Sequence, residues 1–219
     1  MIIAIDGPAG VGKSTVAKML ATRLGYLYLD TGALYRAIAW KVLQSNVTPT
    51  DQERVAQLLP TTSIQMQSQQ GTIKVLVDEQ DITSKLRTPD VTAAASIISA
   101  IPAVREWLLP VQREIGQRGS VVAEGRDVGT KVFPAAPLKF FLDADATVRA
   151  ERRHRELVAA GHSGSMEKTS EDLSGRDARD RNRVIAPLIP ATDARHIDTS
   201  SLNIEQVVAQ MMAAVSAAS

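Results

Sequence analysis

The sequence has 219 residues, enough for one α/β domain with a small insert, and 44% of them are hydrophobic and 22% charged. Those proportions are typical of a folded globular protein and exclude a disordered chain. The 25 basic residues nearly balance the 24 acidic ones, which argues against a generally basic nucleic-acid coat. There is no cysteine, so disulfides, thiolate catalysis and sulfur-based zinc sites are excluded. The sequence has only three histidines, which argues against a multi-histidine metal site.

No apolar run approaches the roughly 18 residues that cross a bilayer. Asp6 interrupts the N-terminal apolar run almost at once, and a glycine-rich turn follows it, which does not fit a signal peptide. We therefore expect a cytoplasmic protein with no membrane partner.

Short apolar segments that end in an acid recur along the chain, and helical patterns lie between them. The segments are residues 2–6, 26–30, 121–124, 138–143 and, more weakly, 196–198. Helical spacing follows the first two segments, over residues 16–24 and 33–44, and Asn203 and Gln206 form a capping box for a terminal helix. This alternation predicts a parallel sheet covered by helices on both faces, with its acids at the edge where such sheets bind ligands.

Residues 61–87 break that alternation. After a short helix expected from a capping box of Thr50 and Glu53, apolar and polar residues alternate over 64–66 and 73–77. The pattern predicts an antiparallel hairpin that turns at Gln70–Gly71, with a third strand near Ile82.

Two further helices follow this β insert. One begins at residues 88–90, where a proline is allowed in the first turn. The other covers residues 101–116, and Pro110 inside it predicts a kink or a break because proline lacks a backbone donor.

Arginine is concentrated in one segment. Eight of the 17 arginines fall within residues 149–183, which we call the lid segment, and the small residues at 159–164 predict a mobile loop between two helical arms. An anionic ligand is the natural partner of such a cluster. The segment holds nine basic and seven acidic residues, which weakens the alternative of a nucleotide-dependent RNA-binding protein.

The residues between the first strand and the first helix match the phosphate-loop pattern, with two glycines four residues apart followed by lysine and a hydroxyl. The loop amides and the helix N-terminus would bind a triphosphate, Lys13 would contact its β- and γ-phosphates, and Ser14 would coordinate Mg²⁺. The predicted ATP-binding residues are Gly7, Pro8, Ala9, Gly10, Val11, Gly12, Lys13, Ser14 and Thr15. The pattern alone indicates nucleotide binding, and the absence of an Asn/Thr-Lys-x-Asp sequence weakens a GTPase interpretation.

Several motifs give the sequence a specific resemblance. They are GPAGVGKST at 7–15, LDTGALYR at 29–36, EGRDVGT at 124–130, VFP at 132–134, RDARDRNR at 176–183 and APL at 186–188. Together they resemble the bacterial cytidylate kinases, a group of nucleoside monophosphate kinases, over essentially the whole chain. The resemblance implies a P-loop NTPase fold with a small antiparallel β insert and a short helical lid.

It also implies an activity: transfer of the γ-phosphoryl group of ATP to CMP or dCMP, with Mg²⁺, giving CDP or dCDP and ADP. The implied roles divide the remaining charged residues. Arg36, Arg105 and Arg126 would hold the CMP phosphate, Thr31, Asp127 and Arg183 would read cytosine, and Arg176 and Asp180 would hold the ribose. Lys13, Arg152 and Arg153 would act on the transferring phosphoryl group. Asp30 and Glu124 would either orient waters of Mg²⁺ or serve as buried structural acids. The neighbouring Arg149 and Arg155 are expected to be solvated.

The same reasoning divides the chain into a core (1–60, 88–148 and 184–219), an NMP-binding β insert (about 61–87) and the lid segment. We expect the insert and the lid to close when both nucleotides bind. We also expect a monomer whose partners are small nucleotides. A shikimate or uridylate kinase remains open as a rival, because the phosphate loop fits all of them.

Overall fold

Residues 1–69 and 72–218, described in a computed structural model, form two β-sheets and eight α-helices, so the turn predicted at Gln70–Gly71 lies outside the described residues. The strands are β1 (Ile2–Asp6), β2 (Leu27–Asp30), β3 (Ile64–Gln69), β4 (Thr72–Val77), β5 (Gln80–Asp81), β6 (Val121–Gly125), β7 (Leu138–Asp143) and β8 (Arg195–Asp198). The helices are α1 (Lys13–Leu24), α2 (Thr31–Gln44), α3 (Gln52–Leu58), α4 (Pro89–Ile98), α5 (Pro102–Gln117), α6 (Ala146–Ala159), α7 (Met166–Asn182) and α8 (Ile204–Ser216).

The chain divides into two compact units. The first contains Met1–Leu29 and the chain from Gly116 onward, and the second contains Asp30–Ile115. The predicted β insert is therefore one part of a larger unit that also includes α2, α3 and α4.

The first unit is built on a five-stranded sheet in the order β2-β6-β1-β7-β8. β1 is parallel to both β6 and β7, and β7 is parallel to β8. Strands β1 and β6 are almost wholly buried, which explains why their sequences are continuously apolar rather than alternating. The α/β prediction with a parallel sheet is confirmed.

Helices α1 and α8 supply much of the core of this unit. Leu20 on α1 and Met211 on α8 are fully buried in one cluster with Ile3, Ile5 and Phe140 of the sheet. The predicted capping box of α8 is present, since Asn203 accepts from the Gln206 amide at 2.9 Å and the Gln206 side chain accepts from the Asn203 amide.

The second unit contains the three-stranded antiparallel sheet, in the order β3-β4-β5, and Met66 pairs with Val75. Helix α2 packs against α4 and β4. The antiparallel strands predicted around 64–66, 73–77 and 82 are thus confirmed, with the third strand ending at Asp81.

In this unit the predicted cap of α3 is wrong, and of the kink or break predicted at Pro110 the break is wrong. Helix α3 is capped by Asp51 rather than Thr50, because the Asp51 carboxylate accepts from the Arg54 amide at 3.1 Å. Helix α5 does not break at Pro110, which lies inside it on an exposed position. The buried residues Val104, Leu108 and Gln112 hold the helix on its opposite face, so the lost backbone donor is tolerated.

Within the described residues, no single helix is long and apolar enough to cross a membrane. Helices α4 and α5 meet the length and composition criteria only when taken together, and they are bent by 101° at the break between them.

Candidate active site

The phosphate loop connects β1 to α1 in the first unit, and its backbone is closely backed by other elements. Gly7 has φ of 149° and Gly10 has φ of 81°, a range that L side chains rarely adopt. A Cβ on Gly7 would lie 2.2 Å from the Leu142 carbonyl oxygen at the end of β7, and one on Gly10 would lie 2.8 Å from the Arg149 carbonyl oxygen on α6. Only glycine fits at these two positions, because β7 and α6 leave no room for a side chain.

Lys13 is buried, with 6% of its surface exposed, and its Nζ donates a hydrogen bond to the Pro8 carbonyl oxygen at 2.6 Å. Burial, together with the nearby Arg126 and Arg176 and against the opposing effect of Glu124, lowers the pKa of Lys13 to about 7. A group with several positive neighbours and little solvent is stabilised by an anion such as a phosphate. In this structure the lysine is held within its own loop.

Asp6, at the end of β1, was not assigned a role by the sequence analysis. It is 3% exposed, and its carboxylate accepts from the Val128 amide at 2.8 Å and the Gly129 amide at 2.7 Å. Burial raises the pKa of Asp6 to about 6, against the opposing effect of those two amides. The residue anchors the segment after Asp127 directly beside the phosphate loop; its position at a strand end was the only sequence signal.

A charged network in the same unit brings together four residues that the resemblance implicated. Arg126 Nε donates to Asp180 Oδ2 at 2.9 Å, Arg183 Nη2 lies 3.5 Å from Asp127 Oδ1, and Arg183 Nη1 lies 3.9 Å from Asp180 Oδ1. Burial alone would raise the pKa of Asp180, but Arg126, Arg176 and Arg183 together hold it below its usual value. The network combines guanidinium donors with carboxylate acceptors.

Asp30, in the second unit, is the N-cap of α2. Its Oδ1 accepts from the Ala33 amide at 3.0 Å and its Oδ2 accepts from Arg36 Nη2 at 2.6 Å, with Arg87 Nη2 3.7 Å away. Burial acts to raise the pKa of Asp30, but Arg36, Arg87 and the amide outweigh it and keep the pKa low. These contacts give the carboxylate a structural role, one of the two interpretations that the sequence left open.

Thr31 and Arg105 are also buried in the second unit. Thr31 is the first residue of α2, and Arg105 is on α5. Arg105 Nη1 donates to the Ser99 carbonyl oxygen at 3.0 Å, and its guanidinium lies 5.6 Å from the centre of the Tyr35 ring. These two contacts hold the guanidinium of Arg105 in place as a candidate partner for an anion.

The arginines of α6 differ from one another. Arg152 donates to Thr199 Oγ1 at 3.0 Å and to the Thr199 carbonyl oxygen at 2.7 Å, and Thr199 Oγ1 in turn donates to the Val11 carbonyl oxygen of the phosphate loop at 3.2 Å. Arg153 forms a 3.0 Å ion pair with Glu156 on the helix surface.

The prediction that Arg149 is solvated is wrong. It is 7% exposed, and it donates to Asp177 and to the carbonyl oxygens of Ala144 and Ala9. Arg155, in contrast, is exposed as predicted. The sequence could not separate them, because which side of α6 faces the phosphate loop depends on how α6 packs.

The donor set near the loop suits a hard cation bound through oxygen. Ser14 provides a hydroxyl in the first turn of α1, and Glu124 provides a buried carboxylate that accepts from the Tyr28 hydroxyl at 2.6 Å and acts on the pKa of Lys13. Among the described residues, no group of three or more histidine, aspartate or glutamate side chains forms a self-sufficient metal site. A cation held by few protein ligands together with substrate phosphates matches this arrangement.

Comparisons with known proteins are consistent with this site. Residues 3–217 match the family model for cytidylate kinase. The chain is 48% identical over 96% of its length to the bifunctional pantoate ligase/cytidylate kinase of Synechococcus elongatus, and it spans only 41% of that protein. It is 45% identical over 98% of its length to the cytidylate kinase of Pelotomaculum thermopropionicum, of which it spans 96%. An uncharacterized protein from Eubacterium ventriosum has a TM-score of 0.55 at 12% identity, covering 99% of this chain and 98% of the other, a likeness that shows the fold alone.

Proposed function

Since the chain belongs to the cytidylate kinase family, we propose that it transfers the γ-phosphoryl group of ATP to CMP or dCMP, giving ADP and CDP or dCDP. The single observation that best supports this activity is the buried Lys13, held by Pro8 in a phosphate loop and flanked by Arg126 and Arg176. Burial and nearby arginines make the charged form of a lysine unfavourable unless an anion binds beside it.

On the donor side, residues 7–15 bind the triphosphate of ATP. The loop amides donate to the phosphate oxygens, the N-terminus of α1 adds its positive dipole end, and Lys13 leaves Pro8 to contact the β- and γ-phosphates. The close backing of Gly7 and Gly10 by β7 and α6 restricts the shapes that the loop can adopt.

On the acceptor side, the charged network of the first unit and the neighbouring Arg176 supply a guanidinium for the phosphate and a carboxylate with a guanidinium for the base and for the ribose. Arg126 holds the CMP phosphate, Asp127 and Arg183 read the cytosine edge, and Arg176 and Asp180 hold the ribose. Guanidinium forks match phosphate oxygens bidentately, and a carboxylate accepts from the exocyclic amine that distinguishes cytosine from uracil. In the second unit, Arg36 and Arg105 are proposed for the phosphate and Thr31 for the base.

Mg²⁺ is proposed as the cofactor, with Ser14 as its protein ligand and Glu124 and Asp30 as candidates for its outer shell. When bound, the ion neutralises charge that develops on the phosphates. Among the two outer-shell candidates Glu124 is favoured, because Asp30 already caps α2 and pairs with Arg36.

The protein performs little covalent chemistry in this reaction, so no general base is assigned. Its contribution is to align the two nucleotides, to place positive charge around the transferring group and to exclude water. Arg152 and Arg153 are proposed to stabilise that group when the lid segment closes, a movement that would release Arg152 from Thr199. A monomeric state, a cytoplasmic location and the absence of nucleic-acid and membrane partners belong to the same proposal.

An acceptor panel tests the proposal. ADP formation from ATP and Mg²⁺ is measured by a coupled assay with CMP, dCMP, UMP, AMP and shikimate at equal concentrations. We expect strong turnover with CMP and dCMP and weak turnover with UMP. Lys13→Met should abolish activity, and Lys18→Met, a matched change at an exposed position of α1, should retain it. The proposal fails if no monophosphate supports turnover, or if shikimate is the preferred acceptor.

A further inference from the structure

Arg149 and Asp177 form a buried ion pair that joins two parts of the first unit with separate roles in the proposed reaction. Arg149, on α6, is 7% exposed, and Asp177, on α7, is 5% exposed. Arg149 Nη1 donates both to Asp177 Oδ2 and, at 3.1 Å, to the Ala9 carbonyl oxygen of the phosphate loop, while Nε donates to the Ala144 carbonyl oxygen at 3.0 Å. One guanidinium thus bridges the phosphate loop and α7.

Packing joins the same three elements independently of the ion pair. Ala9 of the loop, Ala150 of α6 and Leu173 of α7 form a small buried cluster, and Met166 packs against it. The backbone at Arg149 also approaches the loop so closely that a Cβ on Gly10 would overlap its carbonyl oxygen. Apolar packing and close backbone approach thus connect the loop to α6 and α7 at this point.

The turn of α7 that contains Asp177 also contains two residues of the proposed acceptor site. Arg176 acts on the pKa of Lys13, and Asp180 accepts from Arg126. Positions 176, 177 and 180 lie on one side of a helix, because each residue advances it by about 100°. A shift of Asp177 would carry both neighbours with it.

The ion pair is a poor device for stability alone. A buried pair often stabilises a fold no more than apolar side chains of similar volume, although removal of one partner leaves an uncompensated buried charge. Asp177 Oδ1 is buried and accepts no hydrogen bond from the described residues, so its carboxylate is only partly satisfied. The location of the pair between the phosphate loop and α7 explains its presence better than a contribution to the stability of the fold does.

We propose that Arg149 and Asp177 are positioning residues that couple occupancy of the phosphate loop to the order of α7. When a triphosphate orders the loop, the bridge from Ala9 through Arg149 to Asp177 fixes the turn that contains Arg176 and Asp180. The acceptor nucleotide then binds to residues that are already ordered. Bound ATP therefore increases the affinity of the protein for the acceptor nucleotide. This inference rests on the proposed function for the identity of the two ligands.

Hydrogen exchange of the whole chain tests the coupling with a non-hydrolysable ATP analogue as the only ligand. In the wild type we expect the analogue to slow exchange in the first turn of α1 and in residues 173–182 of α7, the latter by about fivefold or more, the lower range of measured coupling factors. In the double variant Arg149→Met/Asp177→Leu, slowing in α1 should persist and slowing in α7 should be clearly smaller, because only the apolar cluster then joins the loop to α7. The double change avoids the unpaired buried charge that either single change would leave.

The matched control replaces an exposed pair on α7 in the same way. Lys168 and Asp172 form a 3.1 Å ion pair with side chains 67% and 66% exposed, so Lys168→Met/Asp172→Leu should retain the slowing in α7. Arg149→Lys keeps the charge but lacks the planar fork, so it should retain part of the slowing. The inference is overturned if α7 is not slowed in the wild type, or is slowed equally in the double variant.

Kinetics separate this role from a purely structural one. The double variant should raise KM for CMP about tenfold, while KM for ATP should change about twofold at most. The two constants differ because CMP binding depends on the order of α7, whereas ATP binding does not. Equal changes in both constants would contradict the coupling. A wild-type chain that failed to phosphorylate CMP would contradict the proposed function instead, and the exchange experiment would still decide the coupling because it uses only the ATP analogue.

Discussion

Lys13 shows how a single residue is prepared for an anion. Its amine is buried against the Pro8 carbonyl oxygen, and this burial, together with the arginines around it, favours the neutral form and lowers its pKa to about 7. A bound triphosphate would reverse that balance, because negative charge favours the protonated amine. Binding of ATP is therefore coupled to protonation of this side chain.

We predict that ATP binding takes up close to one proton per chain at about pH 8, where the free lysine is mostly neutral and the bound one is charged. Calorimetry in buffers of different ionisation enthalpy measures the uptake. Lys13→Met should remove it and Lys18→Met should keep it. Binding of ATP to the wild type without proton uptake would contradict the account of Lys13.

Asp6 provides a second prediction, in protein stability. Its pKa is raised in the folded chain from 3.8 to about 6, so the folded state binds its proton more tightly than the unfolded state does. The stabilisation is complete below pH 3.8 and is lost as pH rises through about 6. Relative to Asp6→Asn, the free energy of unfolding of the wild type should fall by about 3 kcal/mol across that window.

Urea unfolding at a series of pH values measures this difference for Asp6. Glu151→Gln, a change at an exposed position of α6, is the matched control. A free-energy difference between the wild type and Asp6→Asn that stays constant, or grows with pH, would refute the raised pKa.

At the scale of elements, the phosphate loop depends on the strand and helix behind it. Residues at the end of β7 and on α6 occupy the space that side chains at positions 7 and 10 would need. The loop's shape is therefore set by tertiary packing as much as by its own glycines. This explains why a short sequence pattern works only between a strand and a helix in the right fold.

The pair Gly10→Ala and Gly12→Ala tests that dependence. Both positions have left-handed φ values, 81° and 92°, so each substitution should cost about 1–2 kcal/mol of stability. At position 10 the new Cβ also meets the Arg149 carbonyl oxygen, whereas at position 12 nothing lies within 4 Å. Gly10→Ala should therefore lower the free energy of unfolding further and weaken ATP binding more than Gly12→Ala. Equal effects in denaturation and in ATP titration would show that α6 does not constrain the loop.

At the scale of the whole molecule, the sequence predicted most of what local patterns control. Apolar segments and helical spacing predicted the parallel sheet, the antiparallel sheet and a helix over residues 16–24, which lies within α1, because burial of a strand or of a helix face leaves a direct sequence pattern. The phosphate loop was also predictable, because its residues are adjacent in sequence and form a recognisable pattern.

What depends on packing between distant segments was not predictable. The burial of Arg149 and the anchoring role of Asp6 arise from contacts across more than 100 residues, with Ala9 in one case and Val128 in the other. The sequence predicted a kink or a break of α5 at Pro110. That residue lies on an exposed face of the helix, and the helix does not break there. Charged residues in particular have no periodic signal that separates a buried pair from a solvated one.

The most direct measurement follows the phosphoryl group itself. ATP labelled at its γ-phosphate is incubated with the chain, Mg²⁺ and CMP, and the label is followed into CDP and into inorganic phosphate. The account predicts that nearly all transferred label appears in CDP, that transfer requires CMP, and that Lys13→Met abolishes it. Label that appears in inorganic phosphate at the same rate with and without CMP would contradict it, because the chain would then hydrolyse ATP rather than phosphorylate a nucleotide.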